Sequence, residues 1–192
     1  MLKDLYNNAK FLLASKSPRR RELLKSLEID FEIVDIQSDE NWPIELKREK
    51  ITEFIALGKA EAYSGLKENE ILIAADTIVW LDDQKIGKPK DEKDAFDMLS
   101  KLSGRTHEVF SSVCVKSTDK TVVFSETTEV TFDPISEDEI NFYIRNYNPL
   151  DKAGSYGIQD WLGLCKISGI KGDYYNVMGL PLRKLYSVLT DF

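Results

Sequence analysis

Ile71-Leu72-Ile73-Ala74-Ala75-Asp76-Thr77-Ile78-Val79-Trp80 is the most strongly apolar stretch of the chain, and it carries one carboxylate in its middle. Its composition reads as a central strand buried on both faces. Such a strand needs neighbours, and the flanking sequence offers them. Phe11-Leu12-Leu13-Ala14 reads as a short buried strand and residues 31–36 as a second. Residues 106–116 and 121–132 read as two longer β-rich stretches around a polar turn at Thr118-Asp119-Lys120. Helices are expected between them. One begins at Ser17-Pro18 with Leu23, Leu24 and Leu27 on one face, and one carries Leu46, Ile51, Phe54, Ile55 and Ala60. Asp91 caps a third with Ala95, Phe96, Leu99 and Leu102 inward, and Ser136 with Glu139 forms a capping box for a fourth that runs to Tyr147. A last helix covers residues 182–190. Residues 151–180, rich in Gly and aromatics, resist a regular reading. This order of elements implies an α/β protein with a mixed sheet and flanking helices. With 192 residues and no repeat or linker, a single domain over residues 1–192 is expected.

The charge balance excludes some partners. Lys and Arg number 26 against 33 Asp and Glu, a formal charge of −7 with the one His neutral. A protein that binds a duplex by neutralising phosphates needs a basic face. Here the only tight basic cluster is Arg19-Arg20-Arg21 with Lys16 beside it, enough for one small polyphosphate. No nucleic-acid partner is expected. No membrane partner is expected either, since no stretch approaches the roughly 18 apolar residues of a spanning helix. Residues 1–10 are too polar to read as a signal peptide, so the expected compartment is the cytoplasm. Cys114 and Cys165 are far apart in sequence and read as small core residues.

Four places carry chemistry. Ser15-Lys16-Ser17-Pro18-Arg19-Arg20 puts cations at a helix start, where the helix dipole opposes them by a few tenths to about 1 kcal/mol. An anion held there by backbone N–H groups, Ser hydroxyls and guanidinium forks would explain the placement. Arginines that simply point into water explain it nearly as well. Asp76 needs a cation, a metal or several donors to stay ionised inside an apolar strand. A general base that activates water and a magnesium ligand both meet that need, and the segment does not separate them. Glu40, Lys59 and Lys88 each read individually as surface charges. Together they would supply a carboxylate for a divalent ion and cations for its phosphates. In Asp151-Lys152-Ala153-Gly154-Ser155-Tyr156-Gly157-Ile158-Gln159 the glycines permit tight backbone paths, and the Gln159 amide suits a base edge, although an ordinary Gly-rich loop would look the same. Asp173 and Asn176 are further polar candidates in a second such loop. His107 reads as a hydrogen-bonded structural histidine, which leaves a Ser or Cys nucleophile without a base. Tyr143, Tyr147, Phe142 and Ile144 read as helix packing.

Six motifs occur in one order: Ser15 to Arg20, Ala74 to Val79, Gly87-Lys88-Pro89, Leu102 to His107, Asp151 to Gln159, and Gly172 to Leu182. In that order they resemble the Maf family over nearly the whole chain, from about Phe11 onward. The resemblance implies a nucleoside triphosphate pyrophosphatase that cleaves between the α- and β-phosphates and depends on a divalent metal, Mg2+ or Mn2+. It implies an elongated fold like that of inosine triphosphatase, with the active-site cleft between two lobes, often in a homodimer. By motif, Asp76 is similar to the family's proton acceptor, and Arg19 and Arg20 to its phosphate- and specificity-related arginines, with Ser15 and Ser17 lining the same loop. Thr77 and Gln159 are similar to the residues tied to base selection. Glu40, Lys59 and Lys88 match the remaining polar positions, with Glu40 and Asp76 as the metal-binding pair. The loop ending in Gln159 resembles the branch that hydrolyses dTTP and UTP, and a house-cleaning enzyme for modified pyrimidine nucleotides is an alternative that the sequence does not separate from it. Asp160-Trp161 departs from it, since a small residue is common after the Gln. The alternatives are a 7-methyl-GTP pyrophosphatase and a non-catalytic protein that restrains septum formation by binding.

Overall fold

The structure, a computed structural model, describes residues 2–192 apart from the side chain of Lys3. Met1, part of the polar opening stretch, lies outside the described residues. In chain order the elements are α1 (Leu2–Leu5), β1 (Lys10–Ala14), α2 (Pro18–Lys25), β2 (Phe31–Ile33), α3 (Glu49–Glu61), β3 (Glu70–Leu81), β4 (Gln84–Ile86) and α4 (Glu92–Leu102). There follow β5 (Thr106–Lys116), β6 (Thr121–Phe132), α5 (Glu137–Tyr147), α6 (Trp161–Lys166), β7 (Ile167–Lys171), α7 (Tyr174–Met178) and α8 (Leu182–Thr190). Among the described residues the strands form one seven-stranded sheet in the order β2-β1-β3-β5-β6-β7, with β4 paired to β3. β1 runs parallel to β2 and β3, whereas β4 and β7 pair antiparallel, so the sheet is mixed as the element order implies. No helix among the described residues is long and apolar enough to cross a membrane.

The chain gathers into two compact units. The first holds the residues up to Asp76, Ser111–Glu126 and Gly179–Phe192, and the second holds Thr77–Phe110 and Thr127–Met178. Leu12, Ala14, Leu72, Ala74 and Cys114 pack in the first against Ala56 and Ala60 of α3. Those two alanines are four residues apart and so share one helix face. In the second unit Leu99 and Leu102 of α4 and Ile140, Tyr143 and Ile144 of α5 pack with Val109, Phe132, Tyr156, Ile158 and Leu162. Both of its main helices start as their sequences specify. Asp91 accepts the Asp94 N–H at 2.8 Å, and Ser136 with Glu139 closes a full capping box. A cap of this kind is worth about 1 kcal/mol.

Several expectations need correcting. β2 stops at Ile33 rather than reaching Ile36, although the Val34 N–H still bonds the Leu13 carbonyl at 3.1 Å. It is an edge strand with a partner on one side only. The helix expected from Leu46 begins at Glu49, after Arg48 with a φ of 55° and no side-chain cap, and Phe54 is half exposed. Cys114 is buried, but Cys165 is exposed and not a core residue. Residues 149–180 contain two single 3-10 turns, α6, β7 and α7. Gly154 has a φ of +70°, and a Cβ there would lie 2.9 Å from Cγ2 of Val79. Only glycine permits both that backbone angle and that approach.

Candidate active site

β1 ends at Ala14, and the chain then turns into α2 through Ser15-Lys16-Ser17. The buried Ser15 hydroxyl accepts the Ser17 N–H at 3.2 Å, which shapes the turn. Ser17 occupies the N-cap position and Pro18 the first helical position as expected, yet the Ser17 hydroxyl makes no cap bond. Arg20, one turn into α2, reaches away from solvent. Its Nε donates to the Gly179 carbonyl at 2.8 Å, and Nη1 donates to the Ala75 carbonyl at 2.9 Å and approaches the Ser15 hydroxyl at 3.5 Å. Arg20 therefore fixes the peptide immediately before Asp76. Burial lowers its pKa, while Asp76 and Glu40 pull the other way and the charge of Arg19 adds to the lowering.

Asp76 and Lys59 form the centre of the cluster. Lys59 Nζ lies 2.9 Å from Asp76 Oδ1 and 2.7 Å from Glu40 Oε1. The Asp76 and Lys59 side chains are each 12% exposed, whereas Glu40 is 59% exposed. β3 supplies the carboxylate from the middle of a largely buried strand, and α3 supplies the ammonium from its last turn. Glu40 comes from a loop shaped by Asp39, whose Oδ1 accepts the Asn41 N–H at 3.0 Å. That bond holds the Asp39 carboxyl below its ordinary pKa. The first unit thus brings Ser15, Ser17, Arg20, Glu40, Lys59 and Asp76 together.

A divalent ion fits this donor set in one particular way. Two carboxylates already converge on a single cation, and magnesium is commonly held by one or two carboxylates with the remaining positions filled by water and substrate phosphates. No group of three or more His, Cys, Asp or Glu able to hold a metal occurs among the described residues. Glu40 and Asp76 accordingly suit a metal that arrives with a polyphosphate better than one held by protein alone.

Thr77, Lys88 and Gln159 belong to the second unit. Thr77 follows Asp76 on β3 and is half-buried, and Lys88 is exposed just beyond β4. The Gly154 N–H donates to the Gly87 carbonyl at 2.9 Å, which ties the Gln159 loop to the segment carrying Lys88. Gln159 is half-buried, and its Oε1 is shielded from solvent without a hydrogen-bond partner. Asp173 and Asn176 are structural here. Asp173 Oδ1 accepts the Tyr175 and Asn176 N–H groups, while the Asn176 amide donates to the Val109 carbonyl and the Thr128 hydroxyl. His107 is structural as expected, buried and bonded through Nε2 to the Tyr156 hydroxyl at 2.7 Å. Sequence reasoning missed the Ala75 and Gly179 carbonyls that hold Arg20, because backbone partners leave no trace in composition.

The geometry defines an α/β protein with a basic helix-start loop beside a carboxylate–ammonium–carboxylate cluster. A family model described as Maf-like protein matches residues 10–192. The chain is 49% identical over 192 residues to a protein of Flavobacterium psychrophilum named dTTP/UTP pyrophosphatase, covering 100% of this chain and 98% of that one. It is 50% identical over 191 residues to one of the same name from Phocaeicola vulgatus, covering 98% of each. Among solved structures, a HAM1 protein from Coxiella burnetii superposes with a TM-score of 0.50 at 16% identity, covering 96% of this chain and 100% of that one. That likeness concerns the fold. The chain belongs to the Maf family.

Proposed function

We propose that this chain is a nucleoside triphosphate pyrophosphatase that hydrolyses dTTP and UTP to the nucleoside monophosphate and pyrophosphate. The observation that carries the reading is Asp76, a carboxylate set in an apolar strand and held by Lys59. Relatives matched over 98% of their own length at 49% and 50% identity bear the name of that activity. Water attacks the α-phosphorus in line, the bond from that phosphorus to the bridging oxygen breaks, and the proton of the water passes to Asp76. Lys59, 2.9 Å from Asp76 Oδ1, holds that carboxylate in place. Arg19 and Lys88 contribute positive charge to the phosphates, and Arg20 holds the middle of β3 in place through the Ala75 carbonyl while adding its own charge. A magnesium or manganese ion, held by Glu40 and Asp76 together with phosphate oxygens, would neutralise charge on the triphosphate. Positioning and charge neutralisation account for most of the rate in such reactions. Thr77 and Gln159 are assigned to the base.

Pyrophosphate release from a panel of nucleoside triphosphates, with magnesium, with manganese and with chelator, tests the reading. Release from dTTP and UTP that stops on chelation is expected, and Asp76→Asn should bind nucleotide but turn over about 10²–10⁴-fold more slowly. Release mainly from 7-methyl-GTP would overturn the assignment of Gln159. Wild-type turnover by Asp76→Asn would remove Asp76 from the chemistry.

A further inference from the structure

Within the second unit, Tyr143 of α5 is fully buried, and its hydroxyl meets both ends of one short turn. It accepts the Gly157 N–H at 3.0 Å and donates to Asp160 Oδ2 at 2.7 Å. The Asp160 N–H donates to the Gly157 carbonyl at 3.0 Å, so residues 157–160 form a four-residue turn with Gln159 in its third position. One phenol therefore clasps the turn that carries Gln159.

The surrounding groups are spent on the same task. Asp160 stands at the N-cap of α6, where an Asp side chain ordinarily accepts a helix N–H, but it makes no such bond. Its carboxylate is directed to Tyr143 instead, with Lys152 Nζ 3.6 Å from the same oxygen. Gly157 has no room for a side chain, since a Cβ would lie 2.5 Å from Asp160 Oδ2. A Cβ on Gly163 would overlap the Ile158 carbonyl, which seats the other side of the turn against α6. What this frame leaves unsatisfied is Gln159 Oε1, buried and without a partner.

We propose that Tyr143 and Asp160 are positioning residues that lock the Gln159 turn and thereby set which base is accepted, an inference that rests on the assignment of Gln159 to the base. An acceptor oxygen held in one place rewards a ligand that brings an N–H to it and penalises one that brings a lone pair. Uracil and thymine offer an N–H at N3, whereas cytosine offers a lone pair there. A loosely held amide could turn over and serve either.

The test compares kcat/KM for UTP and CTP in wild type, Gln159→Ala, Tyr143→Phe, Asp160→Ala and Asp160→Asn, with thermal melting as a check on folding. Wild type should prefer UTP, and Gln159→Ala, Tyr143→Phe and Asp160→Ala should each narrow the UTP-to-CTP ratio about tenfold, chiefly through KM for UTP. Asp160→Asn keeps an oxygen for the Tyr143 hydroxyl and should retain most of the preference. Tyr143→Phe preserves the packed ring, so it answers the question even if Asp160→Ala fails to fold. An unchanged ratio in Tyr143→Phe, with the ratio narrowed in Gln159→Ala, would overturn the positioning role. An unchanged ratio in Gln159→Ala as well would overturn the base assignment and this inference with it. Failure of wild type to hydrolyse UTP would instead overturn the proposed function.

Discussion

Asp76 and His107 show how differently a buried polar side chain can be accommodated. Asp76 keeps an ammonium beside it, and removing that partner would leave a carboxylate in a largely apolar strand. His107 has a neutral phenol and two aromatic neighbours, Phe132 and Tyr156, and burial pushes its pKa down to about 4 from 6.5. The folded protein therefore holds His107 neutral while the unfolded chain takes up a proton below pH 6.5. Its stabilising contribution is complete above pH 6.5 and is lost as the pH falls towards 4, at most on the order of 3 kcal/mol. His107→Gln cannot take up that proton. Its unfolding free energy in urea should fall less than that of wild type between pH 6.5 and 4.5, by roughly 2 kcal/mol. Identical slopes in the two proteins would show that His107 is not held neutral. At this scale the sequence was partly readable. A lone charge in an apolar run marks Asp76, and a place in a probable strand beside Thr106 and Glu108 marks His107 as structural. Nothing local says that Lys59 reaches Asp76 and Glu40 at once, because the three are joined only by the fold.

Elements were legible where periodicity and caps agree. β5 and β6 fall where alternation and the turn between them place them, and α4 and α5 start at the residues whose side chains cap them. Residues 151–180 were not, because their path is set by close approaches of glycine to other parts of the chain rather than by a repeat. A pair of substitutions separates these cases. Gly58 lies inside α3 with nothing within 4 Å of a Cβ position, so Gly58→Ala should stabilise the protein by roughly 0.5–1 kcal/mol. Gly163 lies inside α6, where a Cβ would meet the Ile158 backbone, and Gly163→Ala should cost about 1–3 kcal/mol or more. Denaturant midpoints decide it. Equal effects of the two substitutions would mean that the turn before α6 can move aside.

For the whole molecule, the net charge of −7 opposes binding to a polyanion, since affinity for a duplex comes from Lys and Arg that neutralise its phosphates. Purified protein should leave labelled duplex DNA unretarded in a gel even at about 50 mM salt, conditions that favour electrostatic binding. Retardation that salt reverses would reopen a nucleic-acid role. The mixed α/β sheet was legible from the element order, whereas two lobes were implied only by the resemblance to the Maf family and by no pattern in the residues themselves. Strands β3, β5 and β6 are each continuous in sequence and bear no mark where one unit gives way to the other.

That division falls between Asp76 and Thr77, two residues joined by one peptide bond in the middle of β3. On the first side stand Glu40, Lys59 and Asp76, the groups proposed to break the phosphoanhydride. On the other stand Thr77 and Gln159, the groups proposed to choose the base, with Tyr143 and Asp160 behind them. A lineage could therefore change its diet by drift in the second unit, so long as Lys88 is kept there for the phosphates, and inherit Glu40, Lys59 and Asp76 intact from the first. Chimaeras that exchange residues 127–178 between paralogues would then carry over a taste for a nucleotide without carrying over a mechanism.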